Sequence, residues 1–352
     1  MKLSDYTKRL LEDIEERIDV ETEEDFNKQW RDFLGGNFKG EIFYPRRKKL
    51  SKPNMEIKPV NINDAIKDYE LMLQSQLAIV SLSLNNLNNV LAMRSNYGTG
   101  ILSSLFGADI FVMPNEMNTL PTTKALNDSN KIREIVSKGI PDLYGGLGRQ
   151  VFEMGEVYKE VLDRYPKIKK YVHIYHPDLQ GPLDICELLW GCDMFYAMYD
   201  EEELVHSMLS LITDTYIKFM DKWFLLYPCN EDINPHWVIM FKGKILLRND
   251  SGMNISSEFY KEFAYPYDAK LLDYYDGGVV HFCGRGDHYI EVMSSIPKLY
   301  GINLSQPHYN DMEVIYRNTV DKGLFIIELN KEVAERDVKR LGGFKGRLQS
   351  RG

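Results

Sequence analysis

Cysteine is scarce in this chain. Four residues, Cys186, Cys192, Cys229 and Cys283, are spread over 352 positions. The opening Met1-Lys2-Leu3-Ser4-Asp5 has no apolar signal core, so the sparse thiols argue against a disulfide framework and for a reducing cytoplasm. Long apolar runs are missing too: nothing approaches the roughly 18 uninterrupted apolar residues of a membrane helix. Positive charge is short, with a formal net charge of −9. The single basic run, Arg46-Arg47-Lys48-Lys49, follows Pro45, and nucleic acid is not expected as a partner. There is no internal repeat and no low-complexity tract. Gly98-Thr99-Gly100 and Gly284-Arg285-Gly286 complete neither a dinucleotide fingerprint nor a P-loop, and read as tight turns that need positive φ.

What is present is an ordinary globular balance, 44% hydrophobic and 27% charged, enough for one large core. Residues 1–60 read as a charged, helical extension packed on the main domain, which occupies 61–352. Beyond it, strand-length apolar runs alternate with helix-length amphipathic ones. The strands are expected just after Asn89 and at 109–113, 171–176, 236–241, 245–249, 279–283, 301–305 and 324–329. Eight strands alternating with helices predict a (β/α)₈ barrel. Residues 242–244, Lys-Gly-Lys, also suit a hairpin turn.

In such a barrel the polar residues that follow each strand carry the chemistry. These are Arg94, Asn96 and Tyr97 after the first strand, and Asp178 and Gln180 after the third. Arg248 and Asp250 follow the fifth, His281 and Cys283 lie on the sixth, Asn303 and Gln306 belong to the seventh, and Glu328 ends the eighth. His281 and Cys283, two apart on one strand, project to one face as a nitrogen and a sulfur suited to Zn²⁺. The same spacing also fits a buried histidine beside a small core cysteine. Between 249 and 258, Asn254, Ser256 and Ser257 are accounted for as helix caps. Asp250 is left over, either as a general base or acceptor or as a turn residue.

Gly181-Pro182, Asn249-Asp250-Ser251, the run from Ile255 to Tyr267 and His281-Phe282-Cys283-Gly284 come in an order that resembles the uroporphyrinogen decarboxylase superfamily, from about residue 60 onward. The resemblance implies a barrel that is either a metal-free decarboxylase of tetrapyrrole-like carboxylates or a zinc-dependent methyltransferase moving a methyl group from a corrinoid to a thiol. The Arg-Gln-Ala-Gly-Arg segment of the decarboxylases has no counterpart here, which favours the methyltransferase. On that reading His281 and Cys283 hold zinc, and Glu328 stands in for an absent third cysteine. Asp250 and Asp178 are catalytic, and Arg94, Asn96, Tyr97, Gln180, Arg248, Asn303 and Gln306 bind substrate. A corrinoid protein is the implied partner, a homodimer is compatible with it, and a non-catalytic ligand-binding barrel is the remaining alternative.

Overall fold

The computed structural model describes residues 1–351. Helices α1 (Asp5–Arg17) and α2 (Val20–Leu34) lead the chain, each started by a side-chain cap: Ser4 accepts from the Thr7 N–H and Asp19 from the Thr22 N–H. The strands, in chain order, are β1 (Ile42–Phe43), β2 (Ala92–Met93), β3 (Ile110–Phe111), β4 (Thr122–Thr123), β5 (His173–Ile174) and β6 (Ile233–His236). They continue with β7 (Ile239–Lys242), β8 (Ile245–Arg248), β9 (Gly278–Phe282), β10 (Leu299–Leu304), β11 (Phe325–Leu329) and β12 (Leu348–Ser350). One parallel sheet runs β1-β12-β11-β10-β9-β8, and a second parallel pair is β2-β5. The two meet where the Leu246 N–H donates to Nε2 of His176, 3.1 Å away, just beyond β5.

Alternation along the strands divides the apolar side chains into two cores. Ile245, Leu247, Val280, Phe282, Ile302 and Ile326 belong to the outer core with the surrounding helices. Leu246, Val279, Phe325 and Ile327 belong to an inner core with Ala92, Tyr175 and the α2 residues Phe26, Trp30 and Phe33. An inner and an outer layer on one parallel sheet, with helices outside, make the fold barrel-like. The register then sets Arg248 beside His281, and His281 beside Asn303, in one inward-facing row across β8, β9 and β10.

Two expected strands lie elsewhere. Residues 110–111 pair antiparallel with Thr122–Thr123 and stay more than a third exposed, while β2 pairs directly with β5. Residues 236–241 bend at Trp237-Val238 into an antiparallel hairpin of β6 with β7, one turn earlier than Lys242-Gly243-Lys244. Gly243 instead links β7 to β8, at φ +102° against the Gly277 backbone. The parallel positions are filled by β1 and β12, whose short segments carry no alternating run. No helix among the described residues is long and apolar enough to cross a membrane, and all four cysteines are free.

Arg47, from the one basic run, is a structural residue. Its guanidinium is bidentate on Glu23, at 2.6 and 2.9 Å, and also donates to the carbonyls of Ser83, Asn86 and Asn89, tying α2 to the approach to β2. Both side chains are almost wholly buried. Arg47→Met leaves the Glu23 carboxylate buried without its cation, and urea unfolding should show a loss of about 3–5 kcal/mol. A loss within experimental error of zero contradicts this role.

A buried polar layer supports the turn after β8. Asp184, in the first turn of the helix Pro182–Trp190, accepts the backbone N–H of Asp250 (3.0 Å) and of Ser251 (2.8 Å). Behind it, Asn249 donates to Asp268 (2.7 Å), and Tyr260, stacked on Tyr289, lies 3.3 Å from the same oxygen. Burial pushes the Asp268 carboxyl up to about 7, only partly opposed by the Asn249 bond. The unfolded chain loses this proton near the ordinary value of 3.8. The stability linked to the group is therefore full below that pH and is lost as pH rises to about 7. Asp268→Asn should flatten this part of a chemical-denaturation series between pH 4 and 7. An unchanged slope would show that Asp268 titrates normally.

Candidate metal centre and its cavities

β9 carries His281 and ends one residue before Cys283, so both side chains project inward. Asn303, next to His281 in the row, turns its amide so that Nδ2 donates to the Ile327 carbonyl (2.7 Å) and Oδ1 meets Nδ1 of His281 (2.5 Å). With that oxygen as acceptor, Nδ1 carries the imidazole proton and Nε2 is left unprotonated, an acceptor for the Cys283 thiol. Nε2 faces the Cys283 sulfur and the Oδ1 of Asp250, each at 3.5 Å. Asp250 is held there from two sides, because Oδ1 accepts the Cys283 N–H at 2.7 Å and the backbone of the turn is fixed by Asp184.

Sulfur, nitrogen and oxygen of Cys283, His281 and Asp250 lie within 4.8 Å of one another. Burial lowers the His281 pKa against the pull of Asp250 and so keeps the ring neutral, as a ligand must be. Burial and the Asp250 charge raise the Cys283 thiol, so a cation is what would turn it into a thiolate. Three converging lone-pair donors of these types fit a catalytic zinc site with an open position. A second cluster among the described residues, Glu202, His206 and Glu262, is largely exposed and has no sulfur.

Glu328 does not take the third position expected of it. It sits at φ +64°, where the β11 register shifts, its N–H donates to Gln349, and its carboxylate pairs with Arg351. It lines the same cavity as His281 and Cys283, a space of about 590 Å³ that Trp237, Arg248, Lys331 and Arg351 also border. Asp250 and Gln180 line a neighbouring cavity of about 460 Å³ with Asp184 and Glu187. The two spaces differ in charge: the first is rich in cations, and the second has carboxylates and no basic side chain.

Asp178 lines neither cavity. It is buried between two arginines, accepting from Arg94 at 2.8 Å and from Arg248, while Gln180 donates to its other oxygen at 3.3 Å. Burial opposes its ionisation, but Arg248 and Arg94 overcome this and hold its carboxyl below the usual carboxylate range. Asn96 accepts from Arg94 (2.9 Å), so Arg94, Asn96, Asp178, Gln180 and Arg248 form one network. Gln306 accepts the Gly284 N–H at 2.6 Å and shapes the turn after Cys283. Tyr97 is 1% exposed in the outer core and borders neither cavity. Sequence reasoning passed over Asp184, Trp237, Lys331 and Arg351. An acid in the first turn of a helix was the available sign for Asp184, while nothing local marked the others.

No family model matches the chain, and no curated protein matches it. Among solved structures, it resembles a methyltransferase from Methanosarcina mazei over 93% of each chain, with a TM-score of 0.61 and 14% sequence identity. At that identity the likeness is one of fold, a mixed α/β architecture built on a parallel central sheet.

Proposed function

We propose that this protein is a zinc-dependent methyltransferase on a (β/α)₈ barrel, which moves a methyl group to a thiol and takes it from a corrinoid carried by a partner protein. The observation that carries this reading is the convergence of the unprotonated Nε2 of His281 with the Cys283 sulfur and the Asp250 carboxylate. Zinc bound there would act as a Lewis acid that lowers the pKa of a substrate thiol. His281, Cys283 and Asp250 are the residues that would hold it.

The remaining side chains bind and orient. Arg248, Lys331 and Arg351 on the cation-rich cavity suit a thiol with an anionic end. Asp178 keeps Arg248 in place, and Asn303 keeps the imidazole in the tautomer that leaves Nε2 free. Trp237 and Leu329 give the cavity apolar wall, which limits water around the thiol carbon chain. The likeness of fold to a methyltransferase supports the reaction class.

Zinc content after reconstitution and dialysis tests the proposal. Wild type should retain one equivalent, and His281→Ala, Cys283→Ala and Asp250→Ala should each lose most of it. Glu328→Ala should keep it, since that carboxylate is engaged by Arg351. A wild type that takes up no zinc removes the methyltransferase reading and leaves the metal-free carboxy-lyase. Loss of zinc in Glu328→Ala with retention in Asp250→Ala would return the third position to Glu328.

A further inference from the structure

The hairpin of β6 and β7 belongs to neither parallel sheet. Ile239, Met240 and Phe241 lie in the inner core with Val279, Phe325 and Ile327, so the hairpin occupies the interior that the strands enclose. It is anchored there by the Val90 N–H, which donates to the Val238 carbonyl at 2.8 Å. Gly301, level with Val279 and Phe325, adds no side chain to that layer. A substrate reaching deep between the strands would meet space already filled.

The hairpin tip stands against the candidate metal centre. Trp237 sits in the two-residue turn at φ +50°, a conformation that a bulky side chain holds only where its surroundings enforce it. Its ring meets His281 edge-on, with centroids 5.2 Å apart, and the Arg248 guanidinium lies 4.8 Å over its face. The same ring borders the cavity of about 590 Å³. One side chain therefore touches a proposed zinc ligand, the best-placed anion-binding cation and the substrate space.

We propose that Trp237 is the specificity-determining wall of this cavity: raised on the inserted hairpin, it keeps branched groups off the His281–Cys283 face and leaves Arg248 as the contact for an anionic end of the substrate. This rests on the proposed thiol methyl transfer only for the identity of the reacting group. The steric limit beside His281 follows from the wall itself. Replacing the indole with a small side chain opens room beside His281 and leaves Arg248 without the face it lies on, whereas phenylalanine keeps an aromatic wall.

Binding rather than turnover provides the test. The probes are 3-(methylthio)propanoate and its branched analogue 3-methyl-3-(methylthio)butanoate, titrated by calorimetry into full-length protein with and without zinc. Wild type should prefer the linear probe by about 10-fold or more, the scale set by misplaced methyl groups in a close-fitting pocket. Trp237→Ala should bring the two probes within about 3-fold of each other, and Trp237→Phe should restore most of the preference. Because Trp30, Trp190 and Trp223 are wholly buried, fluorescence quenching by either probe should also report Trp237 and vanish in Trp237→Phe.

Equal binding of both probes by wild type, no saturable binding of either, or a preference unchanged in folded Trp237→Ala would each overturn the proposal. If the preference behaves as expected but no zinc is taken up, the wall stands and the methyltransferase reading falls.

Discussion

The register of three parallel strands is the constraint on which the site depends. Because β8, β9 and β10 run in step, Arg248, His281 and Asn303 become neighbours in one inward row, although they are far apart in sequence. A slip of one residue in β9 would turn His281 and Cys283 toward the helices and bring Val280 and Phe282 inward. Burial resists that slip, since it would strip Val280 and Phe282 of their apolar partners and place an imidazole in the outer core. The same forces that build the fold therefore aim the candidate ligands.

Polar order follows from that row. Asn303 fixes the histidine tautomer, and Asp178, held between Arg94 and Arg248, neutralises positive charge close to the imidazole. Asp250 is clamped through its backbone by Asp184 and through its side chain by the Cys283 N–H. Asn303 and Asp184, which orient His281 and the Asp250 turn, thus stand outside the donor set itself. Such support is what a site needs if it is to keep its geometry when the ligand changes.

Much of this was legible in the sequence because the governing periodicities are short. Two-residue spacing was enough to place His281 and Cys283 on one face, and Asp250 stood out once its neighbours were explained as caps, with Ser256 indeed accepting from the Phe259 N–H. The parts that were not legible depend on tertiary register. Glu328 looked like the third ligand, but a shift in β11 and the Arg351 pair at the far end of the chain redirect it. The Trp237 turn has none of the Asn-Gly or Asp-Gly chemistry that announces a two-residue hairpin, so residues 236–241 read as one continuous strand. β12, Leu-Gln-Ser, has no apolar alternation, and only its neighbours β1 and β11 make it a strand. Tyr97 shows the limit of reading position alone: a polar residue after a strand can still turn into the helical layer.

Zinc K-edge X-ray absorption on the reconstituted protein reads the proposed metal centre most directly. The arrangement of Cys283, His281 and Asp250 predicts one sulfur at about 2.3 Å, with the remaining nitrogen and oxygen neighbours at about 2.0–2.2 Å, and loss of the sulfur shell in Cys283→Ser. A first shell of nitrogen and oxygen alone, as the Glu202, His206 and Glu262 cluster would give, would place the metal elsewhere and contradict the assignment of the centre to Cys283, His281 and Asp250.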